Sequence, residues 1–344
     1  MLEDLGGWPA VLGPLTASQD ITTELAAAAM GEILAGNATS AQIAAFIVAL
    51  RMKGETIDEM AGMLDAMEAA AEHVRLPTVE GVVDVVGTGG DRSGSINVST
   101  IASFVVAGAG AKVCKHGNRA ASSQCGSADV LEALGVVIDL GPEGVTRCIE
   151  EAGMGFCFAP RFHAAMRHAV PTRRELGVPT VFNFLGPLAN PAGVRRHLLG
   201  VSDARMAEKM AGVLRARGSQ RALVVFGHDG LDELTTTTLS SVVELCDDGQ
   251  VRRYELDPGA HGIKKADPAS LRGGDPAFNA GVARTVLGGE PGPARDIVVL
   301  NAAGALVAAG LAPDLAEGLS LAGKSIDSGA STDVLDRLVT SSNA

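Results

Sequence analysis

Three short stretches of the sequence combine residue types that can bind anions or metal ions. The first is GTGGD at residues 87–91, which follows the β-branched run 82–86 and precedes cap-type residues at 97–100 and an apolar segment. Glycines permit positive φ and let a ligand approach the backbone closely. A buried strand that leads through a glycine turn to a helix N-terminus predicts an anion site, because free N–H groups and the positive end of the helix dipole meet there.

Two well-known glycine motifs do not account for residues 87–91. Arg92 occupies the last glycine position of a dinucleotide fingerprint, and no Gly-Lys-Ser/Thr sequence follows Gly90 as it would in a Walker-type loop. Taken alone, the stretch is about equally compatible with a tight strand-to-helix turn that binds no ligand.

The second stretch is KHGNRAASS at 115–123, followed by GSAD at 126–129. Its two cations, Lys115 and Arg119, and its small hydroxyl side chains favour phosphate oxygens as ligands. The third stretch, DGLDELT at 229–235, contains Asp229, Asp232 and Glu233 directly after a predicted strand. Such carboxylates suit Mg²⁺, which takes oxygen ligands and is commonly shared with substrate phosphates. A metal ion would let a chain with a net charge of −12 hold a polyanion.

Composition limits the class of protein. The chain has 344 residues, long enough for two domains, and 47% of them are apolar, which indicates a globular protein with a large core. A net charge of −12 and an aromatic share of 3% argue against general binding to nucleic acid or to a membrane surface. The five cysteines lack metal-type spacing, which favours buried thiols in a reducing compartment. Because the N-terminus has no signal-peptide pattern and no long apolar span follows, we expect a cytoplasmic protein.

Periodicity divides the chain into two predicted domains. Residues 20–73 have helical spacing of apolar side chains and two capping boxes, Thr39 with Gln42 and Thr56 with Glu59, so residues 1–76 are predicted to form a small helical domain. From 77 to 344, short apolar runs alternate with helical segments, which predicts a larger α/β domain with a mainly parallel central sheet flanked by helices. The predicted strands are 82–86, 111–114, 136–138, 155–158, 222–226 and 242–245, and the predicted helices are 99–109, 129–134, 144–152, 275–286, 294–309 and 328–339. The basic segment 160–191, interrupted by prolines, is expected to line the cleft between the domains, with part of 160–182 packing on the helical domain.

These motifs together resemble the anthranilate phosphoribosyltransferase family. The matching segments are GTGGD (87–91), NVST (97–100), KHGNRAASS (115–123), GSADVLEALG (126–135), RRELGVPTVFNFLGPLANP (from 173) and DGLDELTTT (229–237). They follow the family's order over essentially the whole chain, and KHGNR is the specific part. The resemblance implies transfer of the phosphoribosyl group of phosphoribosyl pyrophosphate (PRPP) to the amine of anthranilate, with release of pyrophosphate, in tryptophan biosynthesis. It further implies two Mg²⁺ ions and a homodimer joined through the helical domains.

The resemblance also implies which residues form the site. Lys115, Asn118 and Arg173 are the expected catalytic residues, with Arg173 binding the carboxylate of anthranilate. Gly87, Asn118 and Arg173 are expected at anthranilate, and Ser99, Asp232 and Glu233 at the metal ions. The residues expected around PRPP are Gly87, Gly90, Asp91, Ser95, Asn97, Val98, Ser99, Thr100, Lys115, His116, Gly117, Asn118, Arg119, Ala120, Ala121, Ser122, Ser123 and Ser127.

Some positions leave alternatives open. Gln124-Cys125 stands where Lys-Ser is common in relatives, and Met166 stands where some relatives have an aromatic residue. His116 could accept a proton but is more readily explained as a structural histidine. A pyrimidine nucleoside phosphorylase-like enzyme and a non-catalytic homologue are the competing hypotheses. The pair Asp232-Glu233 and the KHGNR block argue against the first, and the retention of Lys115 and Arg173 argues against the second.

Overall fold

In the computed structural model, which describes residues 1–120 and 124–344, the chain begins with helices that pack into a bundle. A 3₁₀ helix at Leu2–Leu5 precedes α1 (Gly7–Thr16), α2 (Thr23–Ala35), α3 (Ser40–Lys53) and α4 (Ile57–Ala69). Both predicted capping boxes are confirmed. The hydroxyls of Thr39 and Thr56 each accept the N–H of the residue three positions on, and each threonine's backbone N–H donates to the side chain of that residue. Gly36 and Gly54 end α2 and α3 with φ of 78° and 89°.

The described residues that follow form one seven-stranded sheet in the order β3-β2-β1-β4-β5-β6-β7. The strands are β1 (Val82–Gly87), β2 (Lys112–Gly117), β3 (Met154–Phe158), β4 (Arg196–Gly200), β5 (Arg221–Gly227), β6 (Ser240–Leu245) and β7 (Val251–Leu256). The first five are parallel, and β6 and β7 continue the sheet in antiparallel pairing. The predicted α/β class with a mainly parallel sheet is therefore confirmed. Strand β1 lies in the interior of the sheet, so its carboxyl end opens between two neighbouring strand ends.

Helices cover both faces of the sheet. They are α5 (Val98–Gly108), α6 (Ser127–Leu134), α7 (Pro142–Ala152), α8 (Ala159–Phe162), α9 (Val170–Leu176), α10 (Val181–Leu185), α11 (Ala204–Ala216), α12 (Pro276–Leu287), α13 (Pro293–Ala309), α14 (Leu315–Asp327) and α15 (Ala330–Ser342). Helix α13 is buried over most of its length and packs on β1, β4 and β5 beside α5. The opposite face, with Leu199 and Val224, packs on α11 and joins the core of the bundle. No helix in the described parts of the chain has the length and hydropathy to cross a membrane.

Several predicted elements require correction. Residues 136–138 form no strand: Val136 and Ile138 are buried beneath the C-terminal helices, and the Val137 N–H donates to Ser342 Oγ (3.1 Å) instead of to a neighbouring strand. Strands β4 and β7 and helices α1, α8, α9, α10, α11 and α14 were not predicted. Strand β4 contains only two strongly apolar residues, and β7 is an edge strand whose charged side chains suit exposure.

Residues 159–188 leave the sheet and pack on the N-terminal bundle. Helix α9 contacts α3, α10 contacts α3 and α4, and the 3₁₀ helix Ala164–His168 contacts α2. The apolar core of the bundle is also continuous with one face of the sheet through α11. These contacts support the expected excursion of residues 160–182, and the division at residue 76 remains a proposal.

Candidate active site

The glycine turn leaves β1 at the carboxyl edge of the sheet. Gly89 and Gly90 have φ of 64° and 79°, and Arg92 also adopts positive φ at 58°. The Thr88 hydroxyl accepts the backbone N–H of Ser202 (3.0 Å) and lies 3.2 Å from its hydroxyl. Since Ser202 follows β4, these bonds fix the turn against the neighbouring strand end.

The acidic pair Asp232-Glu233 connects this turn to the start of α5. Asp232 Oδ2 accepts the Gly89 N–H at 2.7 Å, and Glu233 Oε1 accepts the Ser99 N–H at 3.1 Å. Ser99 lies in the first turn of α5, where backbone N–H groups have no partner within the helix. The structure thus brings together three segments, 87–91, 97–100 and 229–235, that the sequence placed at one edge of the sheet.

Two strand-end glycines make room for Asp232. A Cβ at Gly87 would lie 3.0 Å from Asp232 Cγ and closer still to Oδ2. A Cβ at Gly200 would lie 3.2 Å from Asp232 Cα and would overlap the Asp232 carbonyl oxygen. The close approach of Asp232 therefore requires a residue without a side chain at the ends of both β1 and β4.

Asp229 has a different role from its two neighbours. Its Oδ2 accepts the hydroxyl of Thr235 at 2.6 Å and that of Thr237, and its Oδ1 accepts the Leu231 N–H. The Asp229 carboxylate is therefore used inside the loop. Asp91 is the third acidic group beside the pair, because its side chain interacts directly with Asp232.

The site places several carboxyl groups close together, so ionising all of them is unfavourable. Burial and the Asp91 carboxylate raise the pKa of Asp232 to about 7, and burial together with Asp232 raises the pKa of Glu233 to about 8. Lys115 is the nearby cation; its ammonium group donates to the Val85 carbonyl and to Ser99 Oγ (3.2 Å). Burial lowers the pKa of Lys115. One buried ammonium among several carboxylates leaves a site that would be stabilised by a further cation.

The donor set fits Mg²⁺ that is shared with a substrate. Within residues 1–120 and 124–344, no group of three or more His, Cys, Asp or Glu side chains is arranged to hold a metal ion by itself. The candidate ligands Asp232, Glu233 and Ser99 supply two carboxylates and a hydroxyl. Mg²⁺ is commonly held by one or two carboxylates, with water and substrate phosphates completing its coordination. The expected metal ligands are therefore compatible with a metal ion that arrives with a phosphorylated ligand.

The loop after β2 is organised by Asp129. Its Oδ2 accepts the N–H of both Ala120 (3.0 Å) and Gly126 (2.8 Å), so one carboxylate oxygen connects these two residues. Asn118 and Ser127 form a second connection, in which the Ser127 hydroxyl bonds the Asn118 N–H and carbonyl. Ala121, Ser122 and Ser123, expected at PRPP, lie outside the described residues.

Arg119 points toward α6. Its guanidinium pairs with Asp129 (2.9 Å) and Glu132, and it lies 5.6 Å from the centre of the Phe158 ring. An arginine already paired with two carboxylates contributes little free positive charge to an anion site. The contact of Arg119 with PRPP, expected from the family resemblance, stays a prediction.

The histidines near the site are buried. The His116 ring lies 5.1 Å from that of His163, its Nε2 has no partner in the described structure, and burial lowers its pKa to about 3. His163 Nε2 bonds the Ala189 carbonyl at 2.9 Å. Both rings are therefore neutral at pH 7 and pack in the interior. This agrees with the structural role favoured for His116.

Arg173 is a half-buried cation without an anionic partner. It lies in α9, with its guanidinium 5.0 Å from the centre of the Phe182 ring. It forms no ion pair with any described residue, and burial lowers its pKa. A desolvated guanidinium of this kind can pair with a carboxylate ligand. No hydrogen bond or ring contact joins Arg173 to Gly87 or Asn118 within the described residues, so their common site remains a prediction.

The remaining expected residues differ in what they expose. The side chains of Val98 and Thr100 are buried in α5, so their backbone is what a ligand could reach. Asn97 is held by two bonds, one from its Nδ2 to the Cys125 carbonyl (3.1 Å) and one from Asn279 Nδ2 to its Oδ1 (2.8 Å). Ser95 forms an isolated bridge with Arg272.

Sequence reasoning missed a set of buried polar residues beneath the site. Asp84 accepts the His116 N–H (3.1 Å) and the side-chain amide of Asn190 (2.7 Å). Asn301 binds the backbone of Leu234 from within α13. The signal for these residues was a single polar residue within an apolar run, as in VVDVV and VVLNAAGAL.

The chain matches two family models that together define its class. Residues 9–71 match the helical bundle domain of a glycosyl transferase family, and residues 79–332 match the a/b domain of the same family. The class defined by the fold and the site is therefore a two-domain glycosyl transferase.

Curated relatives identify the particular family. Anthranilate phosphoribosyltransferase of Rhodococcus jostii (strain RHA1) is 54% identical over 96% of this chain and 92% of its own length. The enzyme of the same name from Thermomicrobium roseum is 54% identical over 97% of both chains. The chain belongs to the anthranilate phosphoribosyltransferase family.

Solved structures agree with this assignment. The crystal structure of anthranilate phosphoribosyltransferase from Thermus thermophilus has a TM-score of 0.92 and 44% identity, covering 97% of this chain and 99% of that one. The Saccharomyces cerevisiae enzyme in complex with PRPP and Mg has a TM-score of 0.89 and 27% identity, covering 98% of each chain.

Proposed function

We propose that the protein transfers the 5-phosphoribosyl group from PRPP to the amine of anthranilate, giving N-(5-phosphoribosyl)anthranilate and pyrophosphate, in tryptophan synthesis. The observation that carries the proposal is the Asp232-Glu233 turn, whose carboxylates bond the Gly89 and Ser99 N–H groups at a strand-end anion site. Relatives of that name at 54% identity over nearly the whole chain support the choice of substrates.

PRPP is proposed to lie over the glycine turn and the start of α5. The backbone of Gly90 and Asp91 and the hydroxyls of Ser95 and Ser99 are the proposed donors at the carboxyl edge of the sheet, where ligands of open α/β folds bind. The Lys115 ammonium is proposed to stabilise the negative charge of PRPP from the core side of the site, because it already lies against Ser99 Oγ. Asn118, Ser127 and the backbone of 115–120 would face the phosphates from the β2 side.

Mg²⁺ is proposed to bind to Ser99, Asp232 and Glu233, as two ions. When bound, it supplies Lewis-acid stabilisation of the negative charge that develops on departing pyrophosphate. The protein's own contribution is to hold the two carboxylates in place through Gly89 and Ser99 and to keep the Lys115 ammonium beside them. Preorganised charge of this kind needs no rearrangement at the moment of reaction.

Anthranilate is proposed to bind between the sheet edge and the segment 159–188. Arg173, a cation without an anionic partner among the described residues, would pair with the anthranilate carboxylate. Asn118 and Gly87 would lie beside the ring and the amine. The aromatic amine is already a neutral nucleophile, so the task of the site is to orient it toward the ribosyl carbon. The neutral, buried His116 is consistent with chemistry that needs no strong base.

The protein is further proposed to be a cytoplasmic homodimer joined through its helical domain. The bundle carries exposed apolar side chains at Met52 (84% exposed) and Ile57 (38% exposed) in α3 and α4. All five cysteines are buried and none forms a disulfide with another described residue, which suits a reducing compartment. Light scattering after size exclusion tests the dimer, and Met52→Lys should shift it toward monomer.

Product analysis tests the proposed reaction. Purified protein is incubated with PRPP, anthranilate and Mg²⁺, and with each omitted in turn, and products are resolved by chromatography with mass detection. Phosphoribosylanthranilate and pyrophosphate should form in equal amounts only in the complete mixture. Full product formation without Mg²⁺, or none in the complete mixture, would refute the proposal.

A further inference from the structure

We propose that Asn301 is a positioning residue that fixes the Asp232-Glu233 turn from within the core; this inference rests on the proposed function. The side chain is fully buried and lies in the middle of α13, a helix whose neighbouring residues are almost all apolar. Its hydrogen bonds go to backbone groups, and it acts on the acidic pair through the backbone of Leu234.

The Asn301 amide forms three hydrogen bonds. Its Oδ1 accepts the Leu234 N–H at 2.9 Å, and its Nδ2 donates to the Leu234 carbonyl at 2.8 Å and to the Ile297 carbonyl at 2.9 Å. Both backbone groups of Leu234 are therefore paired with one side chain. Leu234 directly follows Glu233, so this pairing fixes the peptide adjoining the acidic pair.

The turn is held on its other side by the strand ends. The approach of Asp232 to Gly87 and Gly200 leaves no space for even a methyl group. On the core side, Leu234 packs close to Gly304, one turn beyond Asn301 on α13. Residues 232–234 thus lie between the edge of the sheet and a buried helix, and only the amide of Asn301 supplies polar partners to Leu234 from the helix.

Packing alone does not explain an asparagine at this position. Asparagine is a weaker helix former than leucine or alanine, and burying its amide has a cost that only its hydrogen bonds offset. An alanine or leucine would continue the apolar face of α13 but would leave the Leu234 N–H and carbonyl unpaired. The residue therefore serves the loop rather than the helix.

Removal of the amide should disturb metal-dependent binding in addition to lowering the stability of the fold. Partners that orient metal ligands from outside the coordination sphere typically change metal affinity by about 10- to 100-fold when mutated. Asn301→Ala should therefore move the Mg²⁺ concentration that supports half-maximal PRPP binding upward within that range. Asn301→Ser, whose shorter side chain can reach the Ile297 carbonyl but not Leu234, should move it in the same direction by a similar factor.

Ser325→Ala is the matched control. Ser325 is equally buried and donates its hydroxyl to the Val105 carbonyl (2.8 Å) in the same core, between α14 and α5. Its loss removes one buried hydrogen bond without touching the acidic turn. This variant should lower the Tm while leaving the Mg²⁺ dependence of PRPP binding as in the wild type.

Calorimetric titration of PRPP at a series of Mg²⁺ concentrations decides the question, together with hydrogen exchange of a peptide covering residues 229–237. The expected result is a shifted Mg²⁺ dependence and faster exchange for both Asn301 variants, and neither change for Ser325→Ala. Mg²⁺ curves for the Asn301 variants that superimpose on those of the wild type or of Ser325→Ala would overturn the positioning role and leave the proposed function intact. If wild-type protein bound no PRPP at any Mg²⁺ concentration, the proposed function itself would fail.

Discussion

Gly87→Ala is a small change that should selectively damage the acidic site. Gly87 does not adopt positive φ, so the backbone tolerates alanine there. The added Cβ would lie 3.0 Å from Asp232 Cγ, whereas ordinary van der Waals contact begins near 3.4 Å, and it would be closer still to Oδ2. The Asp232 carboxylate must therefore turn away, and it then loses the Gly89 N–H that it now accepts at 2.7 Å.

The expected loss follows from this one bond. A hydrogen bond to a charged group contributes about 1.5–3 kcal/mol, and about 1.4 kcal/mol corresponds to a factor of ten. The kcat/KM for PRPP should therefore fall by about 10- to 100-fold. Because Oδ2 ends a side chain that can move, the stability cost should stay near the lower end of the roughly 1–3 kcal/mol typical of overpacking.

Steady-state kinetics and thermal melts on three variants separate these effects. Gly281→Ala is the matched control, since its Cβ would meet nothing within 4 Å, and it should behave as wild type. Gly200→Ala is the severe case, because its Cβ would collide with the Asp232 backbone, and it should lower the Tm strongly. A Gly87→Ala enzyme with wild-type kcat/KM for PRPP would refute the assigned packing of Asp232.

Three further predictions address other parts of the molecule. Arg173→Ala should raise the anthranilate KM or lower kcat/KM, with a loss of roughly 2–4 kcal/mol of interaction free energy. Its exposed neighbour is the control, since Arg174→Ala should leave both constants unchanged, and equal kinetics for the two variants would remove Arg173 from the site. Gly89→Val should weaken PRPP binding, because valine is strained at φ 64° even though its Cβ meets no atom within 4 Å, and wild-type affinity by calorimetry would contradict the anion site. Burial lowers the pKa of His197 to about 4 in the folded protein, whereas in the unfolded chain it stays near 6.5. As the pH falls from 7 to 5, His197 is protonated in the unfolded chain but not in the folded protein, so the free energy of unfolding of the wild type decreases. In denaturant titrations, the free energy of unfolding of His197→Gln should fall by about 2 kcal/mol less than that of the wild type over this pH range. Identical decreases would show that His197 is not responsible.

The fold class and the local motifs were accessible from sequence because their signals are local. Capping boxes at Thr39 and Thr56, and the glycine turn after β1, depend on residues within a few positions of one another. Residues 136–138 show the limit of this reasoning, because a short apolar run whose first and last residues are buried looks the same as a strand.

The architecture of the site depended on contacts far apart in sequence. The acidic turn was identifiable, but its partners lie elsewhere: Asn301 is 67 residues from Leu234, and Gly89 is 143 residues from Asp232. Asp229 shows that residue type alone does not identify a metal ligand. Two threonine hydroxyls donate to its carboxylate, and these contacts could be recognised only in the folded loop. Arg119 is a similar case, because its pairing with Glu132 depends on the orientation of α6.

The central claim is that Asp232 and Glu233 hold Mg²⁺ together with PRPP. Its most direct test is PRPP binding and activity as a function of Mg²⁺ concentration for wild type, Asp232→Asn and Glu233→Gln. If the carboxylates bind the metal, both variants should bind PRPP more weakly and turn over more slowly, with Glu233→Gln the more affected, and high Mg²⁺ should restore part of the loss by mass action. If the pair is only a solvated acidic turn, neutralising it should relieve repulsion of PRPP. Superimposable curves, or tighter PRPP binding by either variant, would contradict the claim.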